Sequence, residues 1–500
     1  MSQPAIFLDR DGTLIEDVGV LSDSSQIRLF ADTLPTLRLL VQRYLLFVVT
    51  NQNGIAKGQV SRAQVDRVNA ALDDLLSRGG VTIQDWYVCP HNRRDACQCI
   101  KPNPTFLLQA AGQYDVNLSR SFVIGDHPHD PATGDSAGVF GLYVLTGHGL
   151  RHLDQLPAER LVFHTLAQAG QWILAHPDPA AHIRQSVEQA AQALRDGKLA
   201  VFPTETVYGL GADVFNARAA ARIFEVKQRP LHDPLIVHIS SVEQIERLVR
   251  SIPPAARLLM ERCWPGPLTL VLPKADSVPD IVTAGNPTVA VRMPSHPLAE
   301  AMIRLAETPV AAPSANLFGR TSPTTAEHVR EQLGGGFDAL IDGGSCRIGI
   351  ESTVLSLASD VPTILRHGGV TKEQIESLIG SAVDTAAYVG GTASGPGMLT
   401  SHYAPRTPLT ITDDIQPFVG RTDIGKLLFE PLDDTVQGPF EVLTSDGDLR
   451  QAAVNLYYAM RRLDGLGLSR IVAQPAPDAG LGKAINDRLQ KAAAGHSASR

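Results

Sequence analysis

A four-residue apolar run at positions 5–8 ends abruptly in Asp9-Arg10-Asp11-Gly12-Thr13. An apolar run this short, with no polar alternation, suits a strand covered on both faces, as in the parallel sheets of α/β folds. Similar runs recur at 45–50, 121–125 and 141–145, with helical stretches between them. That pattern predicts a parallel α/β sheet over roughly the first 150 residues. In such a sheet the carboxyl ends of the strands open onto one crevice. Asp9 and Asp11 follow the first run, Thr50-Asn51-Gln52 the second and Gly125-Asp126 the third, while Lys101 sits in a connecting loop.

These groups suit phosphoryl chemistry. Asp9 is the candidate nucleophile, forming an aspartyl-phosphate, and Asp11 the general acid and then base. Thr50, Asn51 and Lys101 can hold phosphoryl oxygens as charge shifts among them. Mg²⁺, which prefers oxygen ligands and phosphate, would be held by Asp9, the main-chain carbonyl of Asp11, and Asp126. The neighbouring His127-Pro128-His129 reads as solvent-facing loop.

Three of the five cysteines gather with a histidine in Cys89-x-His91-x5-Cys97-x-Cys99. Three thiolates and one imidazole match a closed, structural Zn²⁺ site, a staple for the loop that presents Lys101. Five cysteines in 500 residues make no disulfide framework. The net charge of -8 excludes a bulk electrostatic attraction to nucleic acid. No apolar run approaches the ~20 residues of a membrane span, and no basic segment precedes an apolar stretch at the N-terminus. A cytoplasmic protein is expected, with no membrane contact and no stable nucleic-acid binding.

Asp9-Arg10-Asp11-Gly12-Thr13, Thr50-Asn51-Gln52-Asn53-Gly54-Ile55-Ala56 and Cys89-Pro90-His91 make the first block resemble the haloacid dehalogenase superfamily. Within it, the block is similar to the heptose 1,7-bisphosphate and histidinol-phosphate phosphatases, over roughly residues 4–150. The resemblance implies a Rossmann-like parallel sheet, Mg²⁺-dependent hydrolysis of a phosphorylated small molecule, and a zinc loop. That branch carries arginine before the lysine that follows Cys-x-Cys; here the position is Ile100. Isoleucine cannot grip a second phosphate as arginine does, so the chain departs from the branch at this position. The substrate the resemblance implies is a sugar phosphate such as heptose 1,7-bisphosphate, or histidinol phosphate.

His176-Pro177-Asp178-Pro179 reads as a linker, since two prolines forbid a continuous helix. A helix at 183–194 should follow, stopped by Gly197. Beyond it, Lys227, Arg229, Arg292 and Arg366 stand beside strand ends or loops rich in Gly, Ser and Thr. Such a set suits triphosphate and carboxylate groups, with catalysis by positioning and charge neutralisation.

Lys227-x-Arg229 and Ser314-x-Asn316, with the stretch Val201–Gly211, make this block resemble the YrdC-like threonylcarbamoyl-AMP synthases, almost continuously from 185 to 370. The resemblance implies condensation of L-threonine, bicarbonate and ATP to threonylcarbamoyl-AMP and pyrophosphate. The product would pass to the machinery that forms N6-threonylcarbamoyladenosine in tRNA. Carried over residue by residue, Thr206, His238, Arg292, Ala312 and Ser352 should surround threonine. Lys227, Arg229, Asp233, Thr288, Ser314, Asn316, Ser322 and Arg366 should face ATP. Gly480-Leu481-Gly482-x-Ala484-Ile485-Asn486-Asp487-Arg488 resembles the C-terminal domain of the family's long form. There the connection holding Ser394-Gly395-Pro396-Gly397-Met398 and Ser401-His402-Tyr403-Ala404-Pro405 lies over the active site, so Tyr403 should touch the nucleotide. Gly420-x4-Gly425-Lys426 imitates a P-loop, but Leu427 stands where the hydroxyl is needed.

The expected fold class is α/β throughout. Residues 1–175 form a Rossmann-like parallel-sheet phosphatase domain, 181–377 a YrdC-like domain with a twisted mixed sheet, 378–408 a connection over the active site, and 409–490 a small α/β domain. The tail from 492 should fray. The leading reading is a bifunctional enzyme. Its competitors are a non-catalytic docking role for the first domain, RNA binding by the second, and carbamoylation of another acceptor.

Overall fold

The computed structural model describes residues 2–386, 393, 395, 397–398, 402–432 and 436–497. Its contacts divide the chain into two compact units, Met1–His182 and Ile183–Arg500.

Among the described residues the first unit holds a six-stranded, wholly parallel sheet. Its strands are β1 (Ala5–Leu8), β2 (Leu45–Asn51), β3 (Asp85–Cys89), β4 (Phe122–Gly125), β5 (Phe140–Val144) and β6 (Val162–Phe163), in the order β3-β2-β1-β4-β5-β6. The chain leaves β1 to one side for β2 and returns to its other side for β4. The crevice of the topological switch therefore opens at the carboxyl end of β1, where Asp9 stands. All four residues of β1 are fully buried, and Phe7 stacks on Phe47 with ring centroids 5.2 Å apart. Helix Arg62–Arg78 starts at a capping box between Ser61 and Gln64 and buries Val65, Val68, Leu72 and Leu76.

The helix expected at 183–194 starts earlier, at Pro179. Proline suits a first helical position because its missing N–H needs no partner there, and Asp178 caps the turn by accepting from the Ala181 amide at 3.2 Å.

The second unit is built on a ten-stranded mixed sheet. In chain order its strands are β7 (Ala200–Phe202), β8 (Gly209–Asp213), β9 (Ile236–His238), β10 (Leu268–Pro273), β11 (Thr288–Arg292), β12 (Val310–Ala311), β13 (Ala339–Leu340), β14 (Thr353–Ser356), β15 (Thr363–Arg366) and β16 (Asp384–Thr385). In space they run β13-β7-β8-β12-β9-β11-β10-β14-β15-β16. β9 and β11 are parallel neighbours that pair His238 with Arg292, which brings both side chains to one sheet end.

A smaller parallel sheet follows, of β17 (Leu409–Ile411), β18 (Ile424–Leu428), β19 (Phe440–Val442) and β20 (Arg470–Ala473), in the order β17-β20-β18-β19. Helices Leu449–Asp464 and Leu481–Ser497 pack on it. Gly425 and Lys426 lie inside β18, not in a loop before a helix, and the buried Lys426 ammonium donates to the carbonyls of Arg421, Ile424 and Gln437. No phosphate cradle exists there. The tail expected to fray from 492 is helical as far as Ser497, with Ala492 fully buried in the core that holds Tyr457 and Ile485; residues 498–500 lie outside the described residues. Of the connection's motifs, Ser394, Pro396 and Ser401 lie outside the described residues. Among the described residues no helix is long and apolar enough to cross a membrane.

Two candidate active sites

At the carboxyl end of β1 the Lys101 ammonium bridges two carboxylates, 2.5 Å from Asp9 and 2.5 Å from Asp130, and donates to the Val49 carbonyl at 3.0 Å. Asn51 steadies the lysine loop by accepting from the Lys101 amide at 3.2 Å. Gln52, at the end of β2, donates to Asp11 at 2.8 Å and to the Thr50 hydroxyl at 2.9 Å. Fully buried Arg10 pairs with Asp11 at 2.8 Å. The residues expected to handle phosphate thus fall into two hydrogen-bonded groups at this strand end, Lys101 with Asp9 and Asn51, and Asp11 with Thr50 through Gln52.

Carboxylate oxygens of Asp9, Asp126 and Asp130 all lie within 4.8 Å of one another. Burial, with the nearby acids, pushes Asp9 up to about 7 and Asp126 up to about 9. Burial works against the charge of Lys101 too, but Asp130 and Asp9 hold it above the ordinary lysine range. One ammonium cannot neutralise three crowded acids, so this all-oxygen set fits a hard divalent cation. The Asp11 carboxylate lies outside the group. Asp130, four residues past Asp126, reads in sequence as one more acid near this strand end; in the structure it shares Lys101 with Asp9.

Asp126 is held from above by the His148 amide at 2.7 Å. That loop approaches so closely that a Cβ on Gly147, whose φ is +54°, would lie 2.2 Å from Asp126 Oδ2. Gly147→Ala is therefore expected to displace Asp126 and, if this crevice hydrolyses phosphomonoesters, to slow phosphate release by about 100-fold. The check is a titration with Mg²⁺, where the half-saturating concentration should rise as the rate falls. His127 and His129, expected on a solvent-facing loop, stand at the start of helix His129–Ala137. They are half-buried, with the His127 ring 4.6 Å from that of His129 and 4.7 Å from that of His152.

The four loop donors converge. Cys89 Sγ lies 3.7 Å from Cys97 Sγ and 3.3 Å from Cys99 Sγ, Cys97 Sγ is 3.7 Å from Cys99 Sγ, and His91 Nδ1 is 3.3 Å from Cys99 Sγ. Tetrahedral bonds of 2.3 Å to sulfur imply edges of about 3.8 Å. These four residues fit a four-coordinate ion.

In the second unit, strand ends converge on a partly open cavity. The turn after β7 brings Thr206, β9 brings His238, β11 brings Arg292, and the segment after β12 brings Ala312 and Ser314. Ser352 precedes β14, Arg366 ends β15, and Tyr403 comes from the connection. Arg292 donates to the Thr206 hydroxyl at 2.9 Å and pairs with Glu205 at 2.5 Å. Burial, reinforced by Arg292, pushes His238 down to about 3, so its imidazole is neutral.

All five residues expected around threonine lie on this wall. Of those expected to face ATP, Arg229, Ser314, Arg366 and Tyr403 lie on it. Four stand behind it. Lys227 donates to the carbonyls of Ser314 and Asn316, and Asp233 pairs with Arg229 at 2.8 Å. The Asn316 amide bonds the Leu317 and Arg320 carbonyls at 2.8 Å each, and Ser322 donates to Glu351 at 2.6 Å. Thr288 stands apart, at the far end of β11 from Arg292, about 13 Å away by strand rise. Glu351 also lines the cavity. Its place in Glu351-Ser352-Thr353 gave no sign of that, because two of its partners lie more than a hundred residues on.

Comparison with known proteins follows this division. Residues 192–368 match the Sua5–YciO–YrdC family model, described as telomere recombination, and residues 370–494 match the threonylcarbamoyl-AMP synthase C-terminal domain. A curated threonylcarbamoyl-AMP synthase of Bacillus subtilis is 44% identical over 338 residues, covering 65% of this chain and 98% of the relative. The chain belongs to the threonylcarbamoyl-AMP synthase family. A crystal structure of Pyrococcus abyssi Sua5 complexed with L-threonine is 41% identical, with a TM-score of 0.58 over 62% of this chain and 94% of that one. This synthase-family chain differs from those relatives in its first unit, where residues 98–169 match a haloacid-dehalogenase-like hydrolase model. A D,D-heptose 1,7-bisphosphate phosphatase from B. bronchiseptica, solved with magnesium and phosphate, is 28% identical over 35% of this chain and 99% of its own, with a TM-score of 0.33.

Proposed function

We propose that the chain is a cytoplasmic, bifunctional enzyme. Its second unit makes threonylcarbamoyl-AMP and pyrophosphate from L-threonine, bicarbonate and ATP, for the machinery that modifies tRNA. Its first unit hydrolyses a phosphomonoester of a small molecule, a sugar phosphate or histidinol phosphate. The synthase reading is carried by the cavity that gathers Thr206, His238, Arg292, Ala312 and Ser352 beside Arg229, Ser314 and Arg366.

In this reading the guanidinium of Arg292, already aligned by Glu205 and Thr206, pairs with the threonine carboxylate. Neutral His238 places no second positive charge near the substrate amine. The amine takes up bicarbonate as a carbamate with loss of water. A carbamate oxygen then attacks the α-phosphorus of ATP, and the bond to the β-phosphate oxygen breaks to release pyrophosphate. Arg229 and Arg366 offset the phosphate charge, while Lys227, behind the wall, fixes the Ser314 and Asn316 carbonyls. The test omits one substrate at a time: pyrophosphate release is expected to require threonine, bicarbonate and ATP together. Release that persists without threonine or bicarbonate would overturn the assignment.

For the phosphatase, Asp9 attacks phosphorus while Asp11 gives its proton to the leaving oxygen. Asp11 then accepts a proton from the water that cleaves the aspartyl-phosphate, and Thr50, Asn51 and Lys101 hold the phosphoryl oxygens. Asp9, Asp126, Asp130 and the Asp11 carbonyl would hold Mg²⁺, which supplies charge neutralisation at the phosphoryl group. Cys89, His91, Cys97 and Cys99 would hold Zn²⁺ as a staple for the loop bearing Lys101. Cys99→Ser is accordingly expected to lower bound zinc to near zero, measured by metal analysis, and to cut phosphate release at least about 100-fold. A panel of sugar phosphates, histidinol phosphate, nucleotides and pyrophosphate would identify the substrate. No turnover above the Asp9→Asn background would favour a docking role for the first unit.

A further inference from the structure

The Glu351 carboxylate lies on the wall of the synthase cavity and is almost completely enclosed. One oxygen accepts from the Ser322 hydroxyl at 2.6 Å and the Tyr457 hydroxyl at 3.1 Å. The other accepts from Arg488 Nε at 2.7 Å and from the same tyrosine at 3.0 Å. Ser322 comes from the central α/β part. Tyr457 and Arg488 come from helices Leu449–Asp464 and Leu481–Ser497, on the far side of the connection in sequence.

Arg488 is fully buried and committed at every nitrogen. It donates to the His367 carbonyl at 2.8 Å, pairs with Asp487 at 2.5 Å, and lays its guanidinium over the Tyr403 ring, 4.9 Å from the centroid. Arg366 uses Nε and Nη2 on the Ser352 carbonyl and hydroxyl, at 2.9 to 3.1 Å, and has no ion pair with Glu351. Burial works against the Glu351 charge, yet Arg488, Arg366 and Ser322 hold it down at about 2, so it is ionised.

A cavity that must take an amino-acid carboxylate and a triphosphate cannot tolerate an uncompensated carboxylate on its wall. Like charges at such separations repel strongly where water is excluded. If Arg366 alone balanced Glu351, its charge would be lost to the ligand. We infer that Arg488 and Tyr457 are positioning residues of the synthase site: they neutralise and orient Glu351, so that the C-terminal α/β part sets the charge of the cavity and frees Arg366 for anionic substrate. The inference rests on the synthase reading above, and it makes the C-terminal part a component of the active site.

The experiment is a double-mutant cycle in the full chain, reading ATP affinity by calorimetry and the KM for ATP in pyrophosphate release. Arg488→Leu is expected to weaken ATP binding by at least about tenfold, since it leaves a bare carboxylate in the cavity. Adding Glu351→Gln should recover most of that loss, a rescue that a merely structural arginine would not allow. Tyr457→Phe, which keeps the ring, is expected to raise the KM about threefold with little change in kcat. If Arg488→Leu alone does not fold, the comparison moves to the Glu351→Gln background, where the buried pair is absent and Arg488→Leu should change ATP affinity less than about twofold. A double variant as impaired as Arg488→Leu, or a tenfold loss on the Glu351→Gln background, would overturn the inference. A wild-type chain that neither binds ATP nor releases pyrophosphate would instead defeat the synthase reading itself.

Discussion

Arg292→Gln is expected to lower kcat/KM for threonine by roughly 10²- to 10³-fold while the chain stays folded. The guanidinium is the buried cation best placed for an amino-acid carboxylate: it ends β11, lines the cavity, and is held by Thr206 at 2.9 Å and Glu205 at 2.5 Å. A charge-assisted, two-pronged contact contributes about 3–4 kcal/mol, and each 1.4 kcal/mol corresponds to tenfold in rate. Glutamine is chosen because its amide can still donate to Glu205, which also keeps the Ser295 amide at 3.1 Å. Truncation to alanine would leave that acid buried and poorly paired, confusing loss of function with loss of fold. The measurement is pyrophosphate release across a threonine titration, with phosphate release from the first unit as the control for an intact preparation. A variant that keeps wild-type kcat/KM for threonine would show that the carboxylate binds elsewhere.

Asp9→Asn is expected to abolish phosphate release, by at least about 10⁴-fold, with pyrophosphate release changed less than about twofold. The amide keeps the shape of the carboxylate but cannot form the aspartyl-phosphate. Lys101 retains Asp130 at 2.5 Å, so no buried cation is stranded. The two assays on one preparation separate the activities: loss of both would point to misfolding, and loss of neither would mean that Asp9 is not the nucleophile.

Much of the first unit was legible because its strands obey a simple rule. β1, β2, β4 and β5 are short apolar runs, and the polar residues that interrupt them stand where the sheet ends. Asp9, Thr50 and Asp126 could therefore be placed without knowing the packing. β3 and β6 were missed: Asp85–Cys89 mixes charge with aromatics, and Val162–Phe163 is only two residues long. In the second unit β8, Gly209–Asp213, carries two glycines and so little strand signal in sequence, yet it is hydrogen-bonded on both sides. The cavity residues were legible as motifs, but which of them reach the wall was not. Lys227 looks like a phosphate ligand in sequence; in the structure its ammonium is tied to two carbonyls behind the wall. Burial and the adjacent Arg229 hold it well below the ordinary lysine range. Glu351 was illegible for a different reason. Its meaning lies in Tyr457 and Arg488, at sequence separations of 106 and 137, beyond the reach of any local pattern.

The C-terminal α/β part and the connection can be understood together. Tyr403 lies on the cavity wall with its ring against Arg488, and the Thr321 hydroxyl donates to the Tyr403 carbonyl at 3.2 Å. Arg406 and Thr407, just beyond, give their amides to Asp464 at 3.0 and 2.7 Å. The segment after Tyr403 is thus fixed at both ends, one to the central part and one to the C-terminal part.

The central claim is that one cavity joins threonine, bicarbonate and ATP. The most direct measurement follows isotopic label from bicarbonate and from threonine, separately, into an adenylate identified by mass, using the purified wild-type chain. Both labels are expected in the same adenylate, formed in step with pyrophosphate. An adenylate carrying bicarbonate label but no threonine, or pyrophosphate formed with no labelled adenylate, would contradict the account.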